Sequence, residues 1–281
     1  MASRSVCLLI LCAFFWSLGG VLIKAIDWNP LGIAGTRSLI ALVIFSVFLP
    51  KSWSRLSLAV MAGAVAYAGT VTSFVFATKM TSAANAIFLQ YTAPVYVALL
   101  SPWLVREKIQ RRDWFFIALA LLGVALFFFD QLTPKGWMGI GFGLLSGLFF
   151  GLFILLLRRQ SEGFPQSIVL YGNLLTVVVA LPFIFPARHL ATNWPWLAAL
   201  GVFQLTLPYL LYAHAIRHVR ALDAALVTFI EPILNPCWVL LVNREVPSAW
   251  SLAGGTLVLA ATAARTLLRR RPGLAGSRVT S

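Results

Sequence analysis

The side chain best suited to chemistry in this sequence is the carboxyl group of Glu231, which lies within a long apolar stretch. It stands about ten residues into the segment 221–242, so a helical rise of roughly 1.5 Å per residue places it about 15 Å deep. A carboxylate is costly there, so Glu231 should face the protein interior, carry a proton or meet a cation. It is therefore a candidate for binding a substrate ammonium group or for exchanging protons. The alternative is a neutral Glu231 that is hydrogen-bonded to a neighbouring helix.

Polar and aromatic side chains at similar estimated depths accompany Glu231. The predicted substrate-binding set is Trp16, Gln90, Tyr91, Thr228, Glu231 and Asn235. Together they offer hydrogen-bonding groups and aromatic faces to a ligand at the midplane of a membrane, although each one alone is as well explained by packing. Secondary candidates are Tyr96, Tyr209, Tyr212 and His214. Rings beside amide and carboxyl groups suit amino acids or flat organic cations, and the pattern does not choose between them.

Arg37 is a basic residue about six positions, or 9 Å, inside the segment 31–50. Snorkelling of its long side chain to the membrane interface, or a structural pairing, is the favoured interpretation. The alternative is that Arg37 meets Glu231 or a substrate carboxylate.

Two prolines lie near the middle of their apolar segments, Pro94 in 82–104 and Pro232 in 221–242. Each removes one backbone hydrogen bond and crowds the carbonyl four residues earlier, which predicts a kink that can serve as a hinge. The freed carbonyls, near Gln90 and Thr228, need a partner such as water in a cavity or a substrate amine.

The segment 136–157 carries glycines at a strict spacing of four, which places them on one helical face: Gly139, Gly143, Gly147 and Gly151. Such a stripe lets two helix backbones approach closely, so it predicts helix packing first and sliding of one helix on another second.

The elements that hold these residues are apolar enough to need lipid around them. The chain has 281 residues, of which 60% are hydrophobic and 11% charged, whereas an ordinary soluble domain has about a quarter charged residues. Ten stretches have the roughly 17–25 residues that cross a bilayer as a helix. They are 4–25, 31–50, 56–78, 82–104, 112–130, 136–157, 164–186, 194–216, 221–242 and 248–268.

The distribution of charge predicts an orientation. Of 22 Lys and Arg residues, sixteen fall on one side of the ten spans and five on the other, with Arg37 as the remainder. By the positive-inside rule both termini are cytoplasmic, and we expect a multi-pass protein of the plasma membrane, a bacterial inner membrane. The net charge of +14 thus encodes orientation and contact with anionic lipid, and no nucleic-acid partner is expected.

An internal repeat appears when the chain is shifted by 138 residues. Ala77, Lys79, Ala83, Asn85, Ala86, Pro94, Arg106 and Glu107 then fall on Ala215, Arg217, Ala221, Asp223, Ala224, Pro232, Arg244 and Glu245. These positions belong to the fourth and ninth spans and their flanks, so the repeat unit is five helices and the second copy enters the membrane upside down. The expected domains are residues 1–132, the inverted repeat 133–268 and a basic cytoplasmic tail, 269–281.

With these motifs, from Ala83-Ala84-Asn85-Ala86 through Pro94 to Arg106-Glu107 and their counterparts, the sequence resembles the drug/metabolite transporter superfamily, in particular its EamA-type exporters. The resemblance implies a basket of ten helices around a central cavity, lined by the first, third and fourth helices of each half. It implies export of small organic metabolites by alternating access. Amino acids, including aromatic ones, are the expected substrates, with nucleosides or quaternary ammonium and drug-like cations as the alternative.

Other classes fit the sequence less well. A membrane-embedded enzyme would need paired aspartates, a Ser/His set or a zinc motif, and none is present. A channel would favour rings of charged or carbonyl-lining segments, which an antiparallel pair of repeats does not provide. We therefore expect a monomeric transporter that is not an enzyme, with a small-molecule substrate and no metal or cofactor. Protons are a candidate further partner, and the sequence leaves proton antiport and facilitated diffusion both open.

Overall fold

The computed structural model of the chain describes residues 2–53, 56–104, 111–130, 134–160, 165–185, 188–215, 228 and 230–269. The structure is 91% helical, and no strand occurs in the described ranges. The protein is an all-α integral membrane protein whose ten transmembrane helices form two inverted five-helix repeats, as the sequence predicts.

The described α-helices, in chain order, are α1 Ala2–Ser17, α2 Gly19–Ala25, α3 Pro30–Phe48, α4 Leu58–Met80, α5 Ala83–Gln90, α6 Ala93–Leu104, α7 Arg111–Asp130, α8 Pro134–Arg159, α9 Pro165–Ile184, α10 Arg188–Ala199, α11 Leu207–Ala215, α12 Ile230–Asn243 and α13 Ala249–Arg269. A 3-10 turn, Pro50–Ser52, follows α3, and a π-helical stretch, Leu200–Thr206, joins α10 to α11. Seven spans among the described residues are long and apolar enough to cross a membrane.

Three of the predicted spans are not single regular helices. The first is divided at Leu18 into α1 and α2, and the fourth is divided at Tyr91 and Thr92 into α5 and α6. The eighth passes through the π-helical stretch. Irregular backbone at membrane depth is tolerated only where protein or a cavity surrounds it, so these three places mark the interior of the molecule.

Polar caps start several helices where the chain turns back into the membrane. The Asn29 side chain accepts a hydrogen bond from the Gly32 amide, and Pro30 opens α3 at the position where its missing N–H has no consequence. Ser82 accepts from the Asn85 amide and so begins α5 directly after α4. Because these caps satisfy exposed helix ends, the connections between spans can be short.

The helices of each half pack against helices of the other half. In the second half, α8 lies against α4 and against both parts of the broken span, α5 and α6. In the first half, α1 and α2 lie against α12, and α1 also packs on α11. Helix α3 packs on α9 and α7 packs on α13, so these contacts also join one half to the other. The buried core therefore lies between the repeats rather than within each of them.

The predicted glycine stripe of α8 lies against the fourth span. A Cβ atom built at Gly143 would stand 2.8 Å from the Cβ of Leu89, and one at Gly151 would stand 3.0 Å from the carbonyl oxygen of Ala93. At Gly147 the added atom would meet Thr92 Oγ1 at 2.5 Å and the Leu89 carbonyl oxygen at 2.9 Å. The stripe thus covers the break between α5 and α6 with backbone-to-backbone contact.

This close contact predicts that Gly147→Ala destabilises the protein by about 1–3 kcal/mol, the usual cost of overpacking a filled interior. The new methyl group would push on backbone carbonyls at the break, which cannot move aside as a flexible side chain can. The measurement is the midpoint of thermal unfolding in detergent. Gly141→Ala on the same helix is the matched control, since nothing lies within 4 Å of a Cβ there. Equal midpoints for the two variants would contradict this packing.

Candidate functional site

A small polar cavity lies where the two halves meet. Its volume is about 20 Å³, room for one or two water molecules and too little for an amino acid. The lining side chains come from eight helical segments of both repeats. They are Trp16, Arg37, Thr70, Val71, Phe74, Gln90, Phe150, Gln204, Leu205, Tyr209 and Glu231. Gln204 and Leu205 of the π-helical stretch line this cavity, and so does Gln90, the residue directly before the α5–α6 break.

Glu231 stands in the first turn of α12 and is buried, with 5% of its surface exposed. Its Oε2 atom lies 2.8 Å from the hydroxyl oxygen of Tyr91, which occupies the break between α5 and α6. The same hydroxyl lies 2.7 Å from the backbone carbonyl oxygen of Thr228. A residue of the first repeat thus bonds both the carboxyl group and a main-chain carbonyl of the second.

The three oxygens of this network share too few protons unless Glu231 carries one. The Tyr91 hydroxyl has a single hydrogen to donate, and the Thr228 carbonyl can only accept. When Tyr91 donates to Thr228, the second contact becomes a hydrogen bond only if the Glu231 carboxyl group donates to the phenol oxygen. An ionised Glu231 would instead compete with Thr228 for the same proton. The observed geometry therefore suits a protonated carboxyl group.

Arg37 of α3 is almost completely buried, with 1% of its surface exposed, so of the two favoured interpretations the structure excludes snorkelling and agrees with a structural pairing. Its Nη1 donates to Gln204 Oε1 at 2.9 Å and its Nη2 donates to the Val71 carbonyl oxygen at 2.6 Å. No carboxylate of the described residues lies within ion-pair distance of it. The reason is geometric: the π-helical stretch and α4 present oxygen acceptors to Arg37 inside the protein.

Gln90 and Trp16 line the cavity from the first repeat. Gln90 Nε2 donates to Ser146 Oγ at 2.9 Å, and Ser146 donates in turn to the Thr70 carbonyl oxygen at 3.1 Å, which fixes the amide. The Trp16 ring packs edge-on against Tyr209, with centroids 5.1 Å apart. Its indole nitrogen is buried and has no hydrogen-bond partner within the described structure.

The structure gathers most, though not all, of the predicted binding residues. Trp16, Gln90 and Glu231 line the cavity, and Tyr91 and Thr228 join it through Glu231. These five form a single connected site.

Asn235 is one turn further along α12 and is not among the residues lining the cavity. It is fully buried, and its amide oxygen faces Gly20 next to the break in the first span.

Sequence reasoning missed Gln204 as a site residue. A glutamine within an otherwise apolar span was the available signal, but its depth alone did not separate it from other polar residues.

The predicted hinge residues stand at the starts of helices that face the site. Pro94 is the second residue of α6, directly after the break at Tyr91 and Thr92. Pro232 lies in the first turn of α12, and the residues 216–227 and 229 before it are outside the described structure. The helix is thus interrupted next to Pro94, while a kink or hinge at either proline stays a prediction.

A second polar network joins the two halves at one end of the molecule. Lys24 Nζ lies 2.8 Å from Glu245 Oε2, and Glu245 Oε1 accepts a hydrogen bond of 2.7 Å from the Ala83 amide at the start of α5. Lys24 also donates to the Thr81 carbonyl oxygen at 2.9 Å. Arg244, with a φ of 56°, ends α12 in the left-handed conformation and turns the chain into Glu245. This network ties α2, α5 and the end of α12 together.

Two inverted helical halves around a buried polar cavity, with broken helices beside it, define a multi-pass membrane transporter. The EamA-like transporter family model matches residues 3–129 and again residues 137–266. The chain belongs to this family, within the drug/metabolite transporter superfamily, and the protein is a transporter and not an enzyme.

Curated relatives agree with this assignment. An uncharacterized transporter of Archaeoglobus fulgidus is 26% identical over 255 residues, covering 90% of this chain and 92% of its own. The pseudopaline exporter CntI of Pseudomonas aeruginosa is 29% identical over 185 residues, covering 63% of this chain and 64% of its own. A solved crystal structure with 16% identity superposes with a TM-score of 0.66 over 96% of this chain and 100% of that one, which shows a common fold.

The proton-sharing network predicts a difference between two substitutions. Tyr91→Phe removes the hydroxyl that donates to the Thr228 carbonyl and accepts from the Glu231 carboxyl group, so we expect it to lower stability by about 1–3 kcal/mol. Glu231→Gln should be close to neutral, because its amide N–H can replace the carboxyl proton in the bond to Tyr91. Thermal unfolding midpoints of both variants against the native chain measure this. If Glu231→Gln is as unstable as Tyr91→Phe, the carboxyl group does not act as a donor.

Proposed function

We propose that this protein is a secondary transporter that exports small organic metabolites, with amino acids, aromatic ones included, as the substrate class. The observation that carries the proposal is a buried carboxyl group, Glu231, in an aromatic-lined cavity between two inverted repeats. Such a carboxyl group is costly unless it meets a proton or a cation during the working cycle. A substrate ammonium group provides that cation.

The walls of the cavity favour a substrate with a ring. Trp16, Phe74, Phe150 and Tyr209 present aromatic faces to it, and rings pack on such faces edge to face or offset. An ammonium group near the same faces gains a further attraction to the ring electrons. The fixed amide of Gln90 adds a polar group that can orient the ligand. This set supports an amino acid with an aromatic side chain over an aliphatic sugar.

Protons are the proposed coupling partner. Both hydrogen bonds of the Tyr91 hydroxyl, to Glu231 and to Thr228, can form when Glu231 is protonated. This supports a substrate-free state of the transporter in which Glu231 carries a proton. A substrate ammonium group would take the place of that proton, so the two compete for one carboxylate. Competition of this kind makes outward movement of substrate and inward movement of protons alternate at a single site.

Alternating access requires the cavity to open to one side at a time. Its volume of about 20 Å³ is too small for any proposed substrate, so binding needs helices to separate. The network of Lys24, Glu245 and the Ala83 amide supports closure of one end, because it joins helix ends from both repeats. Bending beside Pro94 and Pro232, with sliding along the glycine stripe of α8, is the proposed movement.

The orientation and direction of transport complete the proposal. The excess of Lys and Arg in the predicted cytoplasmic segments supports both termini in the cytoplasm of a bacterial inner membrane, with Lys24 and Glu245 at the outer face. The relative from Pseudomonas aeruginosa is named as an exporter, which supports outward transport. The ten helices enclose the cavity within one chain, which supports a monomer as the working unit.

A second candidate substrate class is the quaternary ammonium or drug-like cation. The aromatic faces with one carboxyl group are a recognised combination for such cations, and they are the observation that favours this class. Both substrate classes would bind at Glu231. The two hypotheses therefore differ in which substrate groups the other residues of the cavity must bind.

Counterflow in proteoliposomes tests the proposed function. Vesicles are loaded with amino acids, nucleosides or quaternary amines, and the entry of each labelled compound is followed. We expect accelerated exchange of amino acids, driven accumulation under an opposing proton gradient, and loss of that accumulation in Glu231→Gln. Glu231→Asp, which keeps the carboxyl group, is the matched control. Unchanged proton-driven accumulation in Glu231→Gln would contradict proton coupling at this residue.

The closing network predicts that Glu245 controls access to the cavity from its own side. Glu245→Gln keeps an acceptor for the Ala83 amide and loses the ion pair, whereas Glu245→Ala loses both. For a half-exposed ion pair worth up to about 1 kcal/mol, Glu245→Gln should raise access by about 3- to 5-fold, with Glu245→Ala above it.

The measurement is the labelling rate of a single cysteine at Thr70 by a membrane-impermeant maleimide added from the Glu245 side. Cys7, Cys12 and Cys237 are replaced in this background so that Thr70→Cys is the reporter. A rate that stays at the native level in Glu245→Ala would show that the network does not close this end.

A further inference from the structure

Two donors on residues that line the cavity are left unused by the site described above. The Trp16 indole N–H and the Arg37 Nε–H are both buried, both belong to residues that line the cavity, and neither has a hydrogen-bond partner within the described structure. Buried N–H groups without a partner are rare in native proteins, and they indicate an acceptor that is absent from the unliganded molecule. Because both residues line one cavity, one acceptor group bound there can meet both donors.

The charge of Arg37 narrows the identity of that acceptor. A guanidinium group has five N–H donors, and two of them are engaged, with Gln204 and with the Val71 carbonyl oxygen. Both of these acceptors are neutral, so the positive charge is not compensated by any carboxylate within ion-pair distance in the described residues. A buried cation of this kind is costly until an anion joins it.

We propose that Arg37 and Trp16 form the binding site for the carboxylate of the substrate. The planar guanidinium fork matches a carboxylate with two parallel hydrogen bonds, and the indole N–H adds a third donor. Gln204 and the Val71 carbonyl act as positioning groups, because they hold the guanidinium plane in the cavity. This inference rests on the proposed function, because it names the residues of the same cavity that bind the carboxylate end of the substrate.

The placement gives the cavity two poles of opposite sign. Arg37 comes from α3 of the first repeat and Glu231 from α12 of the second, and both line the same cavity. A molecule with an ammonium group at one end and a carboxylate at the other can meet both. A quaternary ammonium compound without a carboxylate would leave Arg37 uncompensated. The structure therefore favours zwitterionic substrates over simple cations.

The balance of charge also connects this site with proton exchange. With Glu231 protonated, Arg37 leaves the empty cavity at a charge of +1. When a zwitterion replaces the proton on Glu231, the ligand adds no net charge and the carboxylate and guanidinium cancel. Exchange of one proton for one zwitterion thus takes the cavity from charged to neutral. A cation without a carboxylate would restore the charge of +1 and gain nothing from this cancellation.

The experiment compares tryptophan, tryptamine and tryptophan methyl ester in counterflow with the native chain. The three share a ring and an amine, and only tryptophan has a free carboxylate. We expect tryptophan to be exchanged with a kcat/KM at least about 100-fold above that of the other two, because a site built for a hydrogen-bonding group rejects analogues that lack it. Arg37→Lys should lower this ratio strongly, since a point charge replaces the fork.

Trp16→Phe is the second variant, chosen because it keeps an aromatic ring and removes the N–H. We expect it to lower kcat/KM for tryptophan by about 5- to 10-fold more than kcat/KM for tryptamine, because the lost hydrogen bond acts on the carboxylate alone while any change in ring contact affects both compounds. Its unfolding midpoint and its tryptamine exchange show whether the variant is folded.

The outcomes separate this inference from the proposed function. If the native chain exchanges tryptamine or the methyl ester as fast as tryptophan, the proposed carboxylate site is overturned. The proposed function, as a transporter of compounds with an amine, would still stand. Equal loss of tryptophan and tryptamine exchange in Trp16→Phe would also overturn it, because a packing defect does not discriminate between them. Absence of exchange for all three and for every compound of the counterflow panel would contradict the proposed function and this site together.

Discussion

Polar groups inside the hydrocarbon layer must find partners within the protein, and the centre of this molecule depends on that constraint. Breaking the fourth span at Tyr91 and Thr92 interrupts a helix at membrane depth, yet it also places the Tyr91 hydroxyl beside Thr228 and Glu231 of the other repeat. The glycine stripe of α8 covers the same break. One local irregularity is thus satisfied by contacts from the opposite half, and these contacts hold the two repeats together at the cavity.

The repeats are alike in fold and unlike in charge. Under the offset of 138 residues Glu231 corresponds to Ala93, and under the offset of 135 that aligns Pro30 with Pro165, Arg37 corresponds to Gly172. Gly172 packs directly on the Tyr67 ring, with no space for a side chain. Each half therefore supplies one ionisable group whose counterpart is small. A symmetric pair of charges would give two equivalent half-sites, whereas this asymmetry gives one cavity with two ends.

Much of the fold could be predicted from the sequence, because span length and charge placement follow from the thickness and polarity of a bilayer. The segments 31–50 and 164–186 correspond closely to α3 and α9, and the inverted repeat follows from residue identities at fixed spacing. Glu231 was identifiable because a carboxyl group amid apolar residues is exceptional.

The surroundings of Arg37 could not be predicted. A membrane helix is apolar on its lipid face and on its packed face alike, so periodicity does not say which way a side chain points. The packing of α3 against the π-helical stretch and α4 buries it.

The packing of each half against the other explains why a binding event at the centre can move whole helices. Helix α8 contacts both parts of the broken span, and α12 contacts both parts of the divided first span, so neither repeat can change the angle of its broken helix alone. A ligand that meets Glu231 must displace Tyr91 from the carboxyl group, and Tyr91 belongs to the break that α8 covers. Tyr91 also bonds the Thr228 carbonyl, so displacing its side chain disturbs a second contact between the repeats. The small volume of the cavity then follows as a consequence: the same hydrogen bonds that satisfy the empty site also hold it closed, and a substrate opens it by replacing them.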